Sequence, residues 1–404
     1  MNYIIPVYSQ EEGDEDSSIA IYDSKLKIEK LIDNFDLPTN IGFLDTNDVL
    51  VYESSGNVQR VINGDTIDFP ILTFKNSNNV QIIMKAIVAK EKNNFEDNIT
   101  HDVFFYYVQC NINSECKNNV SKYELDNKNQ KLINPIVLVS IPSISNPSHI
   151  EGIFRIGTDN NLYLNIASFE DETNRKLSSG TEKVWLECII KYDKNTNYRE
   201  DNFYKNKLVK QDNGHGMRYS FGTDYDPYSG QLWYLENDKF KGEINILETS
   251  LNHNLRNIDQ YDVINGDNFF CIEKIYQNNI KLTGTDETSY KSLIFLDSLA
   301  LGKRHVNNLF VISDSNEIFE FNLPGNRNEL SLTSNRENLD DETRDKFLFA
   351  DGFKRLVDLQ INPYDGTLYV ADSGLAIEGL ETEDMKGSIY KIDRNVDSDS
   401  WFYP

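Results

Sequence analysis

Cationic charge is what this chain lacks most. Forty lysines and arginines stand against 65 aspartates and glutamates, for a formal charge of −25 over 404 residues. A nucleic-acid-binding protein needs a cation for each phosphate contact, and acidic neighbours would offset it. Nucleic acid and anionic membrane surfaces are therefore disfavoured as partners, while small neutral or cationic ones stay open. Long apolar runs are missing too: none approaches the roughly 18 residues of a spanning helix, so no transmembrane segment is expected. His101, His215, His253 and His305 have no ligand spacing with one another or with cysteine, which argues against zinc. No segment holds helical periodicity over three turns.

Cysteine is scarce, with four in the chain. Cys110 and Cys116 in QCNINSEC are spaced to close a small loop, and a disulfide capping a hairpin is expected there. Cys188, inside VWLECIIKY, reads as a buried strand residue, and its pairing with Cys271 is left open. Sequons at Asn98 and Asn119 point, with the cysteines, to an oxidising, extracellular location. The first residues, MNYIIPVYSQ, resemble the end of a secretory leader and are followed by acidic EEGDEDSS. Residues 1–25 are thus expected to be a leader remnant or a disordered N-terminus, and 26–404 a single domain.

What the chain has in abundance is one repeated grammar. An alternating apolar strand, a turn rich in Asp, Asn and Gly, and a second strand of LYV type recur. The copies are IGFLDTNDVLVYESSGNVQRVI (41–62), IFRIGTDNNLYLNIA (153–167), YSFGTDYDPYSGQLWYLEND (219–238), SLIFLDSLALGKRHVNNLFVISDSNEIFEFNL (292–323) and LVDLQINPYDGTLYVADSG (356–374). Residues 80–109 form a looser copy. Period-two alternation marks strands, and Asp, Asn and Gly tolerate the backbone angles of tight reversals. A further apolar strand precedes the copies, as in KIEKLID (26–32), KLINPIVLVSIP (131–142), KNKLVKQ (205–211) and KFLFA (346–350). Six copies of four strands predict an all-β, six-bladed β-propeller. KIEKLID is expected to join the last blade and close the ring, which leaves no exposed edge.

Within this pattern, GMRYSFG (216–222), YDPYSGQLW (225–233), END (236–238) and GEIN (242–245) fall in order. HIEG (149–152) with IGTDNNLYL (156–164), LPTNIGFLDTNDVLV (37–51) and NNLFVISDSNEIFEF (307–321) complete the set. From about residue 26 to 393 the chain resembles the soluble quinoprotein glucose dehydrogenases and aldose sugar dehydrogenases, the glucose/sorbosone dehydrogenase family. The resemblance implies oxidation of an aldose at C1 by pyrroloquinoline quinone (PQQ) held with Ca²⁺, and transfer to an extracellular electron acceptor. It implies that His149 is the catalytic base and that Arg218 steadies charge on the quinone oxygen. Tyr219, Asp314 and Arg355 fall at cofactor-binding positions, and Asp238 and Lys239 at the main-chain calcium site.

Several of these positions depart from the family pattern. Tyr219 stands where the family has asparagine, Asp238-Lys239 where it has Gly-Pro, and Asp314 where it has lysine. Arg355 is the one arginine left of an R-x-R pair, with Val357 in the second place. PQQ carries three carboxylates that need compensating cations, so these changes predict a degraded cofactor site. His149 also reads as a structural turn residue, and Arg218 as a carbonyl-bonding one. A second class of function fits the same sequence: a non-catalytic extracellular propeller that binds a glycan or a protein partner.

Overall fold

The computed structural model describes residues 7–8, 19–75, 80–92, 99–111, 116–142, 154–156, 162–167, 182–190, 220–237, 242–249, 269–283, 290–327, 330, 341–374 and 386–395. Antiparallel strands dominate, as the period-two patterning requires. The helix among the described residues is the short Asp341–Phe347, which takes up the start of KFLFA and leaves Leu348–Asp351 as the strand.

The strands fall into five sheets. The first runs Pro38–Asp45, Asp48–Glu53, Asn57–Ile62 and Asp65–Thr66, with Leu72–Thr73 also on the third strand. The second is made of long strands, Val80–Glu91, Ile99–Asn111, Cys116–Asp126 and Lys131–Pro142. The fourth holds Tyr290–Phe295, Leu309–Ser313, Ile318–Phe321 and Leu348–Asp351, and is extended by Ala20–Ile21 and Val7–Tyr8 from the N-terminal segment. The fifth holds Leu356–Ile361, Leu368–Asp372 and Gly387–Arg394, completed by Leu26–Phe35. KIEKLID therefore pairs with the last repeat, Ile28 opposite Ile392.

The third sheet corrects the expected closed ring of six blades. It has seven strands, because the third and fourth repeats merge in it. Phe269–Thr283 is 15 residues long. It pairs with Glu182–Ile190 through one half and with Gly242–Thr249 through the other. Glu182–Ile190 would otherwise end its repeat as an open row of unpaired backbone groups, and the long strand satisfies it. The outer strand expected at 205–211 lies outside the described residues.

The core lies between adjacent sheets, because both faces of the inner strands are buried. In Leu309–Ser313, Phe310 and Ile312 pack with Leu359, Leu368 and Val370 of the fifth sheet, while Leu309 and Val311 pack with Trp233 and Leu235 of the third. In the fifth sheet Tyr369 and Ala371 turn the other way, onto Phe43, Val49 and Val51 of the first. One residue of register slip would exchange the two sets, so the alternation fixes the register.

Buried polar side chains stitch the innermost strands. Asp224 Oδ2 accepts the Phe295 N–H at 2.8 Å, Asp358 Oδ2 accepts the Ile41 N–H at 2.8 Å, and Asn40 Nδ2 donates to the Lys85 carbonyl at 3.1 Å. Two reversals show the repeat at atomic detail. Asp226 N–H donates to the Gln231 carbonyl and Gly230 N–H to Asp226. Asn362 and Thr367, Gly366 and Asn362 make the matching bonds. Gly230 and Gly366 sit at φ 72° and 74°, where a side chain would strain the backbone.

The expected disulfide joins Cys110 and Cys116 across the hairpin of the second sheet. Asn119, by contrast, is buried, and its side chain donates to the Lys117 carbonyl. That sequon is not offered to a glycan as the sequence suggested, and Asn98 lies outside the described residues. No helix among the described residues is long and apolar enough to cross a membrane.

Candidate functional site

The first strands of the fourth and fifth sheets begin at the same end of the molecule, where the second-to-third-strand turn of the fourth sheet also lies. His149, Arg218, Tyr219, Asp238 and Lys239 lie outside the described residues. Of the residues singled out in the sequence, Asp314 and Arg355 are described, and the structure brings both to Lys291.

Lys291 is the second residue of Tyr290–Phe295. Its Nζ donates to Asn316 Oδ1 at 3.0 Å and stands 3.8 Å from Asp314 Oδ1. Asn316 holds this corner together. It adopts φ 61° in the turn, accepts the Leu356 N–H at 3.2 Å, and donates from Nδ2 to the Lys354 carbonyl at 3.0 Å. Asp372 works on the other side. Its carboxylate accepts the N–H groups of Lys354 and Arg355, both at 2.7 Å, and of Gly374 at 2.9 Å. Ser373 N–H closes the corner on the Arg355 carbonyl at 2.8 Å. The Arg355 backbone is thereby fixed while its side chain stays exposed.

Burial pushes the Lys291 ammonium below its ordinary range. Arg355 adds to that effect, and Asp314 and Asp372 oppose it. These four groups form two cations against two carboxylates, so their formal charges cancel. Among the described residues there is no group of three or more His, Cys, Asp or Glu suited to a metal ion. Sequence reasoning missed Lys291, which belongs to no motif. Only the packing of Tyr290–Phe295 beside Leu356–Ile361 reveals it.

Gly222 explains part of the glycine-rich lead-in. A Cβ there would lie 2.9 Å from Leu293 N and 3.1 Å from Ser292 Cα, so glycine lets Ser220–Tyr225, the edge strand of the third sheet, approach the first strand of the fourth.

Comparison with known proteins places the arrangement. In fold it is similar to the apo-form of the soluble aldose sugar dehydrogenase of Escherichia coli, at 16% identity and TM-score 0.52 over 91% of this chain and 99% of that one. It is equally similar to the PQQ-bound form of the aldose sugar dehydrogenase of Streptomyces coelicolor, at 14% identity and TM-score 0.52 over 92% and 99%. The fold is an all-β propeller. The family model described as glucose/sorbosone dehydrogenase matches residues 35–267, more than half of the sequence, and the chain belongs to that family. No curated protein matches it.

Proposed function

We propose that this chain is a sugar-dehydrogenase-type propeller that takes an aldose or another neutral carbohydrate at the Lys291 end, and whose quinone site is degraded. Family membership supports the carbohydrate, and the cancelled charge of Lys291, Arg355, Asp314 and Asp372 carries the cofactor reading. A charge-assisted hydrogen bond contributes about 1.5–3 kcal/mol, so replacing two cations and adding an aspartate weakens a tricarboxylate by several kcal/mol.

In this reading His149 takes the proton of the sugar hydroxyl and Arg218 steadies developing negative charge. Tyr219 offers an aromatic face on which a sugar ring stacks. Asp238 brings a carboxylate toward Ca²⁺ while Lys239 opposes it. An extracellular location is supported by the Cys110–Cys116 disulfide.

The test is dye-linked oxidation of glucose by the full chain, with and without added PQQ and Ca²⁺, beside His149→Ala. The proposal expects glucose binding without cofactor and slow oxidation only at excess PQQ, abolished in the variant. Binding of a glycan with no turnover at any PQQ concentration selects the non-catalytic propeller. Turnover unaffected by His149→Ala removes the assigned base.

A further inference from the structure

Cys188 and Cys271 occupy directly opposite positions in the antiparallel pair of Glu182–Ile190 and Phe269–Thr283. The register runs unbroken on both sides, with Glu187 opposite Ile272 and Ile189 opposite Phe270. Elsewhere the same chain shows what this relationship leads to. Cys110 and Cys116 are likewise directly opposite in an antiparallel pair, and they are bonded. Directly opposite residues of an antiparallel pair have Cα atoms about 4.5–5.5 Å apart, inside the window of about 4.4–6.8 Å that a disulfide spans. Little backbone movement is then needed to join them.

We infer that Cys188 and Cys271 form a second disulfide. The oxidant is a small-molecule disulfide of the glutathione class. One cysteine thiolate attacks it, releasing one thiol and leaving a mixed disulfide. The second thiolate then displaces the other half. Two protein thiols lose two protons and two electrons, and one disulfide is reduced to two thiols. The bond would lie at the seam where the third and fourth repeats share one sheet. It would clamp the long strand that merges them and leave the Lys291 end untouched.

The test uses the full chain, equilibrated with glutathione disulfide until Cys110–Cys116 has formed, then alkylated and digested without reductant. The expected result is one cross-linked peptide pair carrying Cys188 and Cys271. Recovery of both as alkylated thiols, or bonded to other cysteines, would overturn the inference. A thermal readout is independent of the mapping. In the Cys110→Ser/Cys116→Ser background, reductant is expected to lower Tm by roughly 5 °C. Cys188→Ser, Cys271→Ser and the double variant should then show the same loss, each insensitive to reductant. Additive losses in the double variant, or a Tm indifferent to reductant before these changes, would contradict the bond.

Discussion

Asp23 and His305 meet through Oδ2 and Nε2 at 3.2 Å, although 282 residues separate them in the sequence. The other ring nitrogen of His305 lies 2.8 Å from Glu320 Oε1, and Arg304 reaches the same Asp23 oxygen at 3.0 Å. Asn308 Nδ2 also donates to Glu320, at 2.6 Å. The cluster ties the lead-in to Leu26–Phe35, a strand of the fifth sheet, to a loop of the fourth. Burial alone would push His305 down, but its bonds to Asp23 and Glu320 and their charges hold it up at about 9. The bond from His305 holds Asp23 down at about 2 against its burial.

A pH profile of stability follows. The folded pKa of His305 lies above the ordinary 6.5, so its contribution is complete below pH 6.5 and is lost as pH rises through 9. The folded pKa of Asp23 lies below the ordinary 3.8, so its contribution is present above that value and is lost as pH falls through 2. His305→Ala should therefore destabilise by about 3 kcal/mol between pH 4.5 and 6.5, and by progressively less toward pH 10. Denaturant titrations of both proteins across pH check this. A difference that does not change with pH would mean that the cluster acts by packing alone.

Arg327 grips Asp226 with two bonds, Nε to Oδ2 at 2.5 Å and Nη2 to Oδ1 at 2.6 Å, and also donates to the Asn307 carbonyl. Its guanidinium stands 5.7 Å from the Tyr228 ring and 5.9 Å from that of Phe295. Lysine cannot reproduce a two-pronged bond. Arg327→Lys is expected to cost about 2–4 kcal/mol, because it leaves a buried carboxylate incompletely paired. Urea unfolding measures the loss, and a cost below about 0.5 kcal/mol would contradict the assignment.

Much of the fold is readable in the sequence because it rests on local pattern. Alternation in LYVAD and the Asn-Pro-Tyr-Asp-Gly reversal specify the hairpin of the fifth sheet, and GSIYKID and KIEKLID show the faces by which they pair. Phe269–Thr283 is not readable this way. FFCIEKIYQNNIKLT changes partner halfway, and its alternation breaks where it does. Asp314 and Arg355 are found by the order of motifs, since each adjoins a recognisable strand. Lys291 and the Asp23–His305 pair depend on which strands lie side by side, and no spacing along the chain records that.

Gly222→Ala tests the close approach of the third and fourth sheets. The added methyl would press on Leu293 N, so backbone must move, at an expected cost of about 1–3 kcal/mol. Calorimetry should show a lower Tm with the same fold by circular dichroism. An unchanged Tm would remove the packing role for this glycine.

Asp358→Ala removes the acceptor of the Ile41 N–H. It should cost about 1–3 kcal/mol by leaving that buried donor unpaired, and Asp358→Asn should recover part of the loss. Equal destabilisation by the two variants would argue against the hydrogen bond.

Asp314→Lys reverses one charge beside Lys291 and Arg355. If charge sets the ligand class at this end, the variant should bind PQQ at least tenfold more tightly than the native chain, and neutral sugars no more tightly. Equal PQQ affinity in the two proteins would show that Asp314 does not face the ligand.

Calorimetric titration of PQQ into the native full chain with Ca²⁺ present tests the central claim most directly. Binding weaker than micromolar, or no heat at all, is the predicted result. Micromolar or tighter binding together with robust glucose turnover would contradict it, and would mean that cations elsewhere on this face restore what Asp314 and Val357 take away.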